Sequence, residues 1–401
     1  SALLHSVIGE QYWSYYRDNR WEIMERTATH DDPSDMATWS QPVFMRKVID
    51  EYRASLVDAD SLKAVPVGTL ERILVDPGST PLSSGEGSLR PTLFDLLAHR
   101  ALAVFRNTET RIAEPASRFK LNDAKYFSLF EDFTSLRLGS ADSTSWELQT
   151  MELYKELERT HLNTSTPDAM VDNALARLAF VRERSTLPGK DSLYLNALTT
   201  LASRLPNDSC LSDVLVAQAR WHQEMGGKYQ RHTEGLPTEA PWKWENKQAL
   251  TLCDTVILRY PGSFAASDAA NIRASLVDGH LSLNVEEGVL PNAPFKAAIT
   301  YRNTPKLWLR LVKDDWSTEE YLQNNGNADG EKLVERKALR EWSIDLPDDG
   351  DLNGHLTEIA TDGLPFGHYA LLISNTSAFT PKVDDIAFAR FWVTRLAMTQ
   401  R

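Results

Sequence analysis

Cysteine, long apolar runs and surplus positive charge are all scarce in this chain of 401 residues, and each scarcity excludes something. Two cysteines, Cys210 and Cys253, cannot build a disulfide scaffold, and their spacing fits no zinc pattern. No apolar run approaches the roughly 20 residues of a membrane-spanning helix, so the chain does not read as crossing a bilayer. The opening residues Ser1-Ala2-Leu3-Leu4-His5 carry no basic-then-apolar targeting segment, which leaves a lipid anchor ahead of residue 1 open. Lys plus Arg number 43 against 56 Asp plus Glu, a net charge of −13. That acidity is spread along the chain and no basic stripe opposes a phosphate backbone, so nucleic acid is excluded as a partner.

What is present is organisation. With 42% hydrophobic and 25% charged residues, the chain has the makings of folded domains, two or three at about 100–200 residues each. From about Arg90 to Leu276 the apolar spacing is helical. Leu93, Leu96, Leu97, Ala101, Val104 and Phe105 form one stripe behind Pro91 and Thr92, where a helix would begin. Thr144 and Glu147 have capping-box spacing ahead of Trp146, Leu153, Tyr154 and Leu157. Thr166-Pro167 reads as a cap followed by a first-turn proline, and Pro188-Gly189 as that helix's end.

A further stripe runs from Leu193 to Leu205 and stops at Pro206-Asn207-Asp208. After a polar interval, Ala249, Leu250, Cys253, Val256, Ile257 and Tyr260 repeat it and stop at Pro261-Gly262-Ser263, before one more helix through Leu276. Stripes that each end in a Pro step and lead into another helix predict paired antiparallel helices. With the polar insert from about Gly226 to Asn246 removed, their repeat approaches a tetratricopeptide-type (TPR-like) period. Residues 1–90 predict an aromatic helix around Tyr12, Trp13, Tyr15, Tyr16 and Trp21, a second over Val43 to Leu56, and a Gly/Ser/Pro-rich loop over Gly78 to Ser88.

After His280 the period becomes two. Leu281, Leu283 and Val285 alternate with polar residues, and strands follow over Phe295–Tyr301, Leu307–Val312, Trp342–Leu346, Leu356–Ile359, Phe366–Ile373 and Phe388–Val393. About seven short strands separated by Gly, Pro and Asp turns predict an antiparallel β-sandwich. Asp314 to Glu331 reads as an exposed loop. The fold class is α+β and multidomain: a helical-hairpin array over 1–280, with an irregular edge over 1–90, then a β-sandwich over 281–401.

Chemistry is thinly signalled. His222 and His232 lie ten residues apart and do not share a helical face. Asp349-Gly350-Asp351-Leu352-Asn353-Gly354 starts like a calcium loop, but its twelfth position is Ala360 rather than a bidentate carboxylate, so it reads as an acidic turn. Ser117 and Lys120 have a Ser-x-x-Lys spacing without the companion motifs of serine acyltransferases. Cys253 sits in an apolar stripe as a small core residue; a Cys210–Cys253 disulfide stays open for an oxidising compartment. Trp242 and Trp244, set among prolines, either pack the insert onto its scaffold or offer an interaction surface. No residue set points to catalysis, a cofactor or a metal ion, and no enzyme activity is expected.

The segment Thr92-Leu93-Phe94-Asp95-Leu96-Leu97-Ala98-His99-Arg100-Ala101-Leu102 resembles one near the start of large bacterial alpha-2-macroglobulin family proteins. Leu290-Pro291 to Tyr301-Arg302-Asn303 is similar to that family's first strand pair. Leu346-Pro347, Asp351, His355 and Glu358 follow its pattern, as do Leu364, Gly367, Tyr369 and Leu371. Arg395-Leu396-Ala397 looks like the lead into a following sandwich domain.

The resemblance implies an N-terminal fragment of an envelope protease inhibitor, periplasmic or attached to the cell envelope. The fragment would be a helical scaffold plus one macroglobulin-type sandwich, with protein partners reached through the full-length molecule, and a monomer. The family's bait segment and Cys-Gly-Glu-Gln thioester are not in these residues, since Leu-Ser-Asp follows Cys210 and Asp-Thr-Val follows Cys253. The competing readings are a free-standing helical-repeat adaptor that binds protein along a concave face and, resting on the 11 tryptophans, a carbohydrate-binding module.

Overall fold

Thirteen helices and eight strands are formed among the residues that the structure, a computed structural model, describes: 1–26, 35–70, 89–107, 119–140, 145–164, 167–205, 208–229, 241–314, 330–347 and 350–395. A helical region comes first and a β region second, an α+β arrangement, and helix gives way to strand between Val277 and His280. The chain packs as two units, Ser1–Ala217 and Gln218–Arg401, so the last helices before the strands belong to the same unit as the sheets.

In the first unit, α1 (Ala2–Asp18), α2 (Arg20–Glu25), α3 (Gln41–Ala54) and α4 (Ala59–Lys63) precede α5 (Leu93–Phe105), α6 (Phe130–Thr134), α7 (Trp146–His161), α8 (Asp168–Arg184) and α9 (Lys190–Ser203). The aromatic N-terminal segment is helical because its large rings recur on one face, and that face is where the core forms. Trp13 and Tyr16 of α1, Phe44 and Tyr52 of α3, Phe105 of α5 and Trp146 of α7 meet in one cluster. Some of the rings meet edge-on, Phe105 at 5.3 Å and 82° to Trp146 and Tyr52 at 5.9 Å and 79° to Phe105, while Trp13 stacks on Tyr16 at 5.6 Å. Burying each such ring stabilises the fold by about 1.5–3 kcal/mol, with aromatic geometry adding to that.

Caps set the helix starts. Thr92 and Asp95 make a reciprocal capping box: the Thr92 amide donates to Asp95 Oδ2 at 2.9 Å and the Asp95 amide to Thr92 Oγ1 at 3.3 Å. The cap of α7 is Ser145, whose Oγ accepts from the Leu148 amide; the expected Thr144, like Thr166, lies outside the described residues. Pro167 stands at the cap position of α8. The loop expected over Gly78 to Ser88 also lies outside the described residues.

The interval after Asp208 was expected to be polar, yet it holds a full helix, α10 (Leu211–Gly226). Leu211, Val214, Gln218, Trp221 and Met225 recur at steps of three and four, and all are buried. The charged residues between them dilute the stripe.

The second unit holds the end of α10, then α11 (Glu245–Arg259) and α12 (Phe264–Val277), which pack against each other. Gly262 takes a left-handed φ of +83° between them, and Ser263 caps α12 by accepting from the Ala266 amide at 3.0 Å. The strands are β1 (His280–Val285), β2 (Gly288–Val289), β3 (Phe295–Arg302), β4 (Lys306–Lys313), β5 (Ala338–Asp345), β6 (His355–Thr361), β7 (Gly367–Ser374) and β8 (Ile386–Val393).

They form a three-stranded sheet, β1-β3-β6, and a five-stranded sheet, β2-β8-β7-β4-β5; every ladder is antiparallel except β2 with β8. The inner faces meet in two clusters: Val285, Phe295 and Ala297 of the smaller sheet against Leu311, Tyr369, Leu371 and Phe391 of the larger, and Leu281, Ile299 and Tyr301 against Leu307, Leu309 and Ile373. The larger sheet is covered on its other face too. There Val312, Ala370 and Leu372 pack under Phe379 and under Leu333 of α13 (Gly330–Val334).

That second cover corrects the reading of Asp314 to Glu331 as exposed loop at both ends. Asp314 is buried, accepting from Arg390 Nε at 2.8 Å with Arg336 Nη2 at 3.4 Å, and the segment closes in α13. A carboxylate can be buried there because two guanidinium groups reach it. Residues 315–329 lie outside the described residues.

Candidate functional site

A buried polar constellation of the second unit forms where the start of α11 meets the turn between β5 and β6. Leu352 takes a left-handed φ of +62° in that turn, which tucks the Asp351 and Asn353 side chains inward, and both are buried. Asp351 Oδ1 accepts from the Asn353 amide at 2.9 Å and lies 3.0 Å from His355 Nε2. Asn353 Nδ2 donates to the Lys243 carbonyl at 2.8 Å, while Asn246 Nδ2 donates to Asn353 Oδ1 at 2.8 Å and to the Leu352 carbonyl at 3.2 Å. The His355 ring stacks on Tyr301 at 5.5 Å, and the Tyr301 hydroxyl donates to the Pro347 carbonyl at 2.9 Å. These groups bind one another, so what the cluster does chemically is hold the helix pair to the turn.

Within the acidic run the Asp351 and Asn353 side chains are thus buried, and Asp351, the third residue of the calcium-like run, is committed to His355 and the backbone. Asp349 lies outside the described residues, as do His232 and Ser117. His222 Nδ1 contacts Glu245 Oε2, which ties α10 to the first turn of α11. Lys120 is exposed beside the buried Phe119.

Trp242 and Trp244 do not form one platform. Trp242, at a left-handed φ of +71°, turns its ring edge-on to Trp221 at 6.1 Å and 81° and is half-buried. Trp244 caps α11 through its carbonyl, which accepts from the Lys247 and Gln248 amides. Its ring is 47% exposed beneath Lys243 Nζ at 4.9 Å and Lys247 Nζ at 5.6 Å.

Cys210 and Cys253 are both free and both buried. Burial, followed by the charge of nearby carboxylates, pushes the Cys210 pKa up to about 12 and the Cys253 pKa up to about 11.

In the first unit, the Thr92–Leu102 segment places its polar residues in structural roles. Asp95 Oδ1 lies 2.7 Å from His161 Nε2, and both side chains are buried. Burial works to raise the Asp95 carboxyl, but the His161 contact and the Thr92 donors outweigh it and hold the pKa below the ordinary carboxylate value. Arg100 Nε donates to Ser6 Oγ at 2.8 Å and its Nη2 contacts Glu10, tying α5 to α1. Nearby, Arg177 donates from Nε to Glu158 Oε1 at 2.6 Å and from Nη1 to the Tyr126 carbonyl at 2.7 Å. Its guanidinium lies 3.7 Å over the Phe133 ring, and neither charged side chain is exposed. The sequence patterns did not show this pair, because its partners lie 19 and 51 residues away.

No protein-family model matches the sequence, and no curated protein matches it. Among solved structures, the crystal structure of the CARDB domain of a Pyrococcus furiosus protein in complex with di-metal ions aligns with 29% of this chain and 88% of its own. The two share 10% identity at a TM-score of 0.19, a likeness too loose to carry an argument. Among the described residues, no three His, Cys, Asp or Glu side chains gather as metal ligands, and no helix is long and apolar enough to cross a membrane.

Proposed function

We propose that this chain is a non-catalytic scaffold and interaction region of an envelope alpha-2-macroglobulin-like protease inhibitor, working at the cell envelope or in the periplasm through protein partners. In this reading the helices are a TPR-like hairpin array and the strands an immunoglobulin-like, macroglobulin-type sandwich. The chain acts as a monomer, and the bait and thioester chemistry resides outside these residues. One observation carries the reading: several of the residues that bear the family resemblance hold their own unit together. Thr92 and Asp95 cap α5, Arg100 joins α5 to α1, and Asp351 and His355 lock the β5–β6 turn. Tyr369 bonds back to the Pro365 carbonyl before β7, a contact of the kind found at tyrosine corners, which supports the sandwich reading.

The test compares this chain with the full-length polypeptide of its gene against trypsin and elastase. A trap shields large substrates and leaves small ones accessible. The full-length protein is expected to slow casein cleavage at stoichiometric amounts while sparing a chromogenic peptide, and this chain alone to do neither. A full-length protein that leaves casein cleavage untouched overturns the proposal, and so does inhibition by this chain alone.

A further inference from the structure

The two sheets of the second unit do not meet everywhere. Among the described residues, strand β5 has a ladder partner only in β4 and β6 only in β3, so each ends its sheet. Between these edges opens a cavity of about 160 Å³, walled by Phe295, Leu311, Trp342, Leu364 and Leu371. A dry cavity of about 150 Å³ with such walls is large enough to take benzene. Void-lining atoms forgo dispersion contacts that a ligand of matching shape restores.

The mouth is polar on one side. Arg340 contacts Asp362 across it, and the Arg340 guanidinium lies 4.7 Å over the ring of Trp342, itself a wall of the cavity. The Asp362 side chain is 85% exposed, so its pairing with Arg340 is solvent-screened and weak. A carboxylate arriving at the rim with its apolar part already buried competes with that partner on favourable terms.

We propose that this cavity is a binding site for a small amphiphilic carboxylate, with one aromatic ring, or a branched alkyl group of similar size, between the sheets and the carboxylate on Arg340. The apolar walls select the ring, the volume limits it to about one, and Arg340 selects the charge. The site is independent of the inhibitor reading, because it needs only the second unit's own side chains.

The experiment uses the whole chain, with phenylacetate and toluene as probes, followed by calorimetry and by methyl NMR of Leu311 and Leu371. Both probes are expected to bind saturably and to shift those methyl signals, phenylacetate about tenfold tighter than toluene because of the charge-assisted contact. Arg340→Gln is expected to erase that preference while toluene binding persists. Leu364→Trp, which fills the cavity, is expected to abolish both, with circular dichroism confirming that the fold is kept. Absence of saturable binding overturns the proposal. So do equal affinities for the two probes in the unsubstituted chain, and so does a preference for phenylacetate that survives Arg340→Gln.

Discussion

The Tyr369 hydroxyl donates to the Pro365 carbonyl at 3.1 Å, arching the ring back over Gly367, where a Cβ would stand 3.1 Å from the ring. The bond fixes how the chain enters β7, the central strand of the larger sheet.

Tyr369→Phe keeps the ring against Phe391, 6.0 Å away, and removes only the hydroxyl. The expected loss is about 1 kcal/mol, the net worth of one part-buried hydrogen bond. A lower urea midpoint at unchanged slope would register it.

Gly226 closes α10 beside the polar cluster of the second unit, and a Cβ there would overlap Asn246 Oδ1. Gly226→Ala is therefore expected to displace the Asn246 side chain from Leu352 and Asn353, at about 1–3 kcal/mol. At Gly227 the nearest atom to a Cβ is 3.4 Å away, so Gly227→Ala is expected to be tolerated. Thermal unfolding of the two variants side by side separates the effects.

Arg177 and Glu158 form a fully buried pair in the first unit. Arg177→Met leaves the Glu158 carboxylate without its partner and is expected to lose about 3–5 kcal/mol. Adding Glu158→Leu should restore much of that, because the uncompensated charge goes as well. A double-mutant cycle in denaturant measures the coupling.

His99 on α5 faces Arg90 and Arg106 as well as Asp95 and Asn173. Burial, followed by the charge of Arg90, holds its pKa down from 6.5 to about 4. Between those values the unfolded chain binds a proton that the folded one refuses, so stability falls as the pH drops from 6.5 to 4. The loss is about 3 kcal/mol at most. Asp95, held below its ordinary value, adds a further loss below that window. Urea titrations at a series of pH values are expected to show both slopes, and His99→Gln to remove only the upper one.

Local periodicity made most elements legible. The α5 stripe, its Thr92 cap, the alternation of β3 and the Leu307, Leu309, Leu311 face of β4 all depend on residues within one or two turns of each other. Helix α10 was hidden because Gln218 occupies one position of an otherwise apolar stripe and charged residues surround it. Asp314 read as loop because nothing adjacent reveals that Arg336 and Arg390 converge on it. The Asn246–Asn353 bond spans 107 residues, and the cavity wall draws on β3, β4, β5 and β7 together with Leu364. Such contacts are set by tertiary packing, which leaves no trace in neighbouring positions.

The short strand β2 gives the second unit a mechanical latch. The chain leaves β1 in one layer and two residues later pairs in parallel with β8 in the other. The Trp392 amide donates to the Glu287 carbonyl at 2.7 Å and the Thr394 amide to the Val289 carbonyl at 2.9 Å. Because the two strands run the same way, tension drawn between the unit's incoming and outgoing ends loads these bonds in shear. They must break together rather than unzip one by one, so the two layers resist being peeled apart by whatever pulls on the chain.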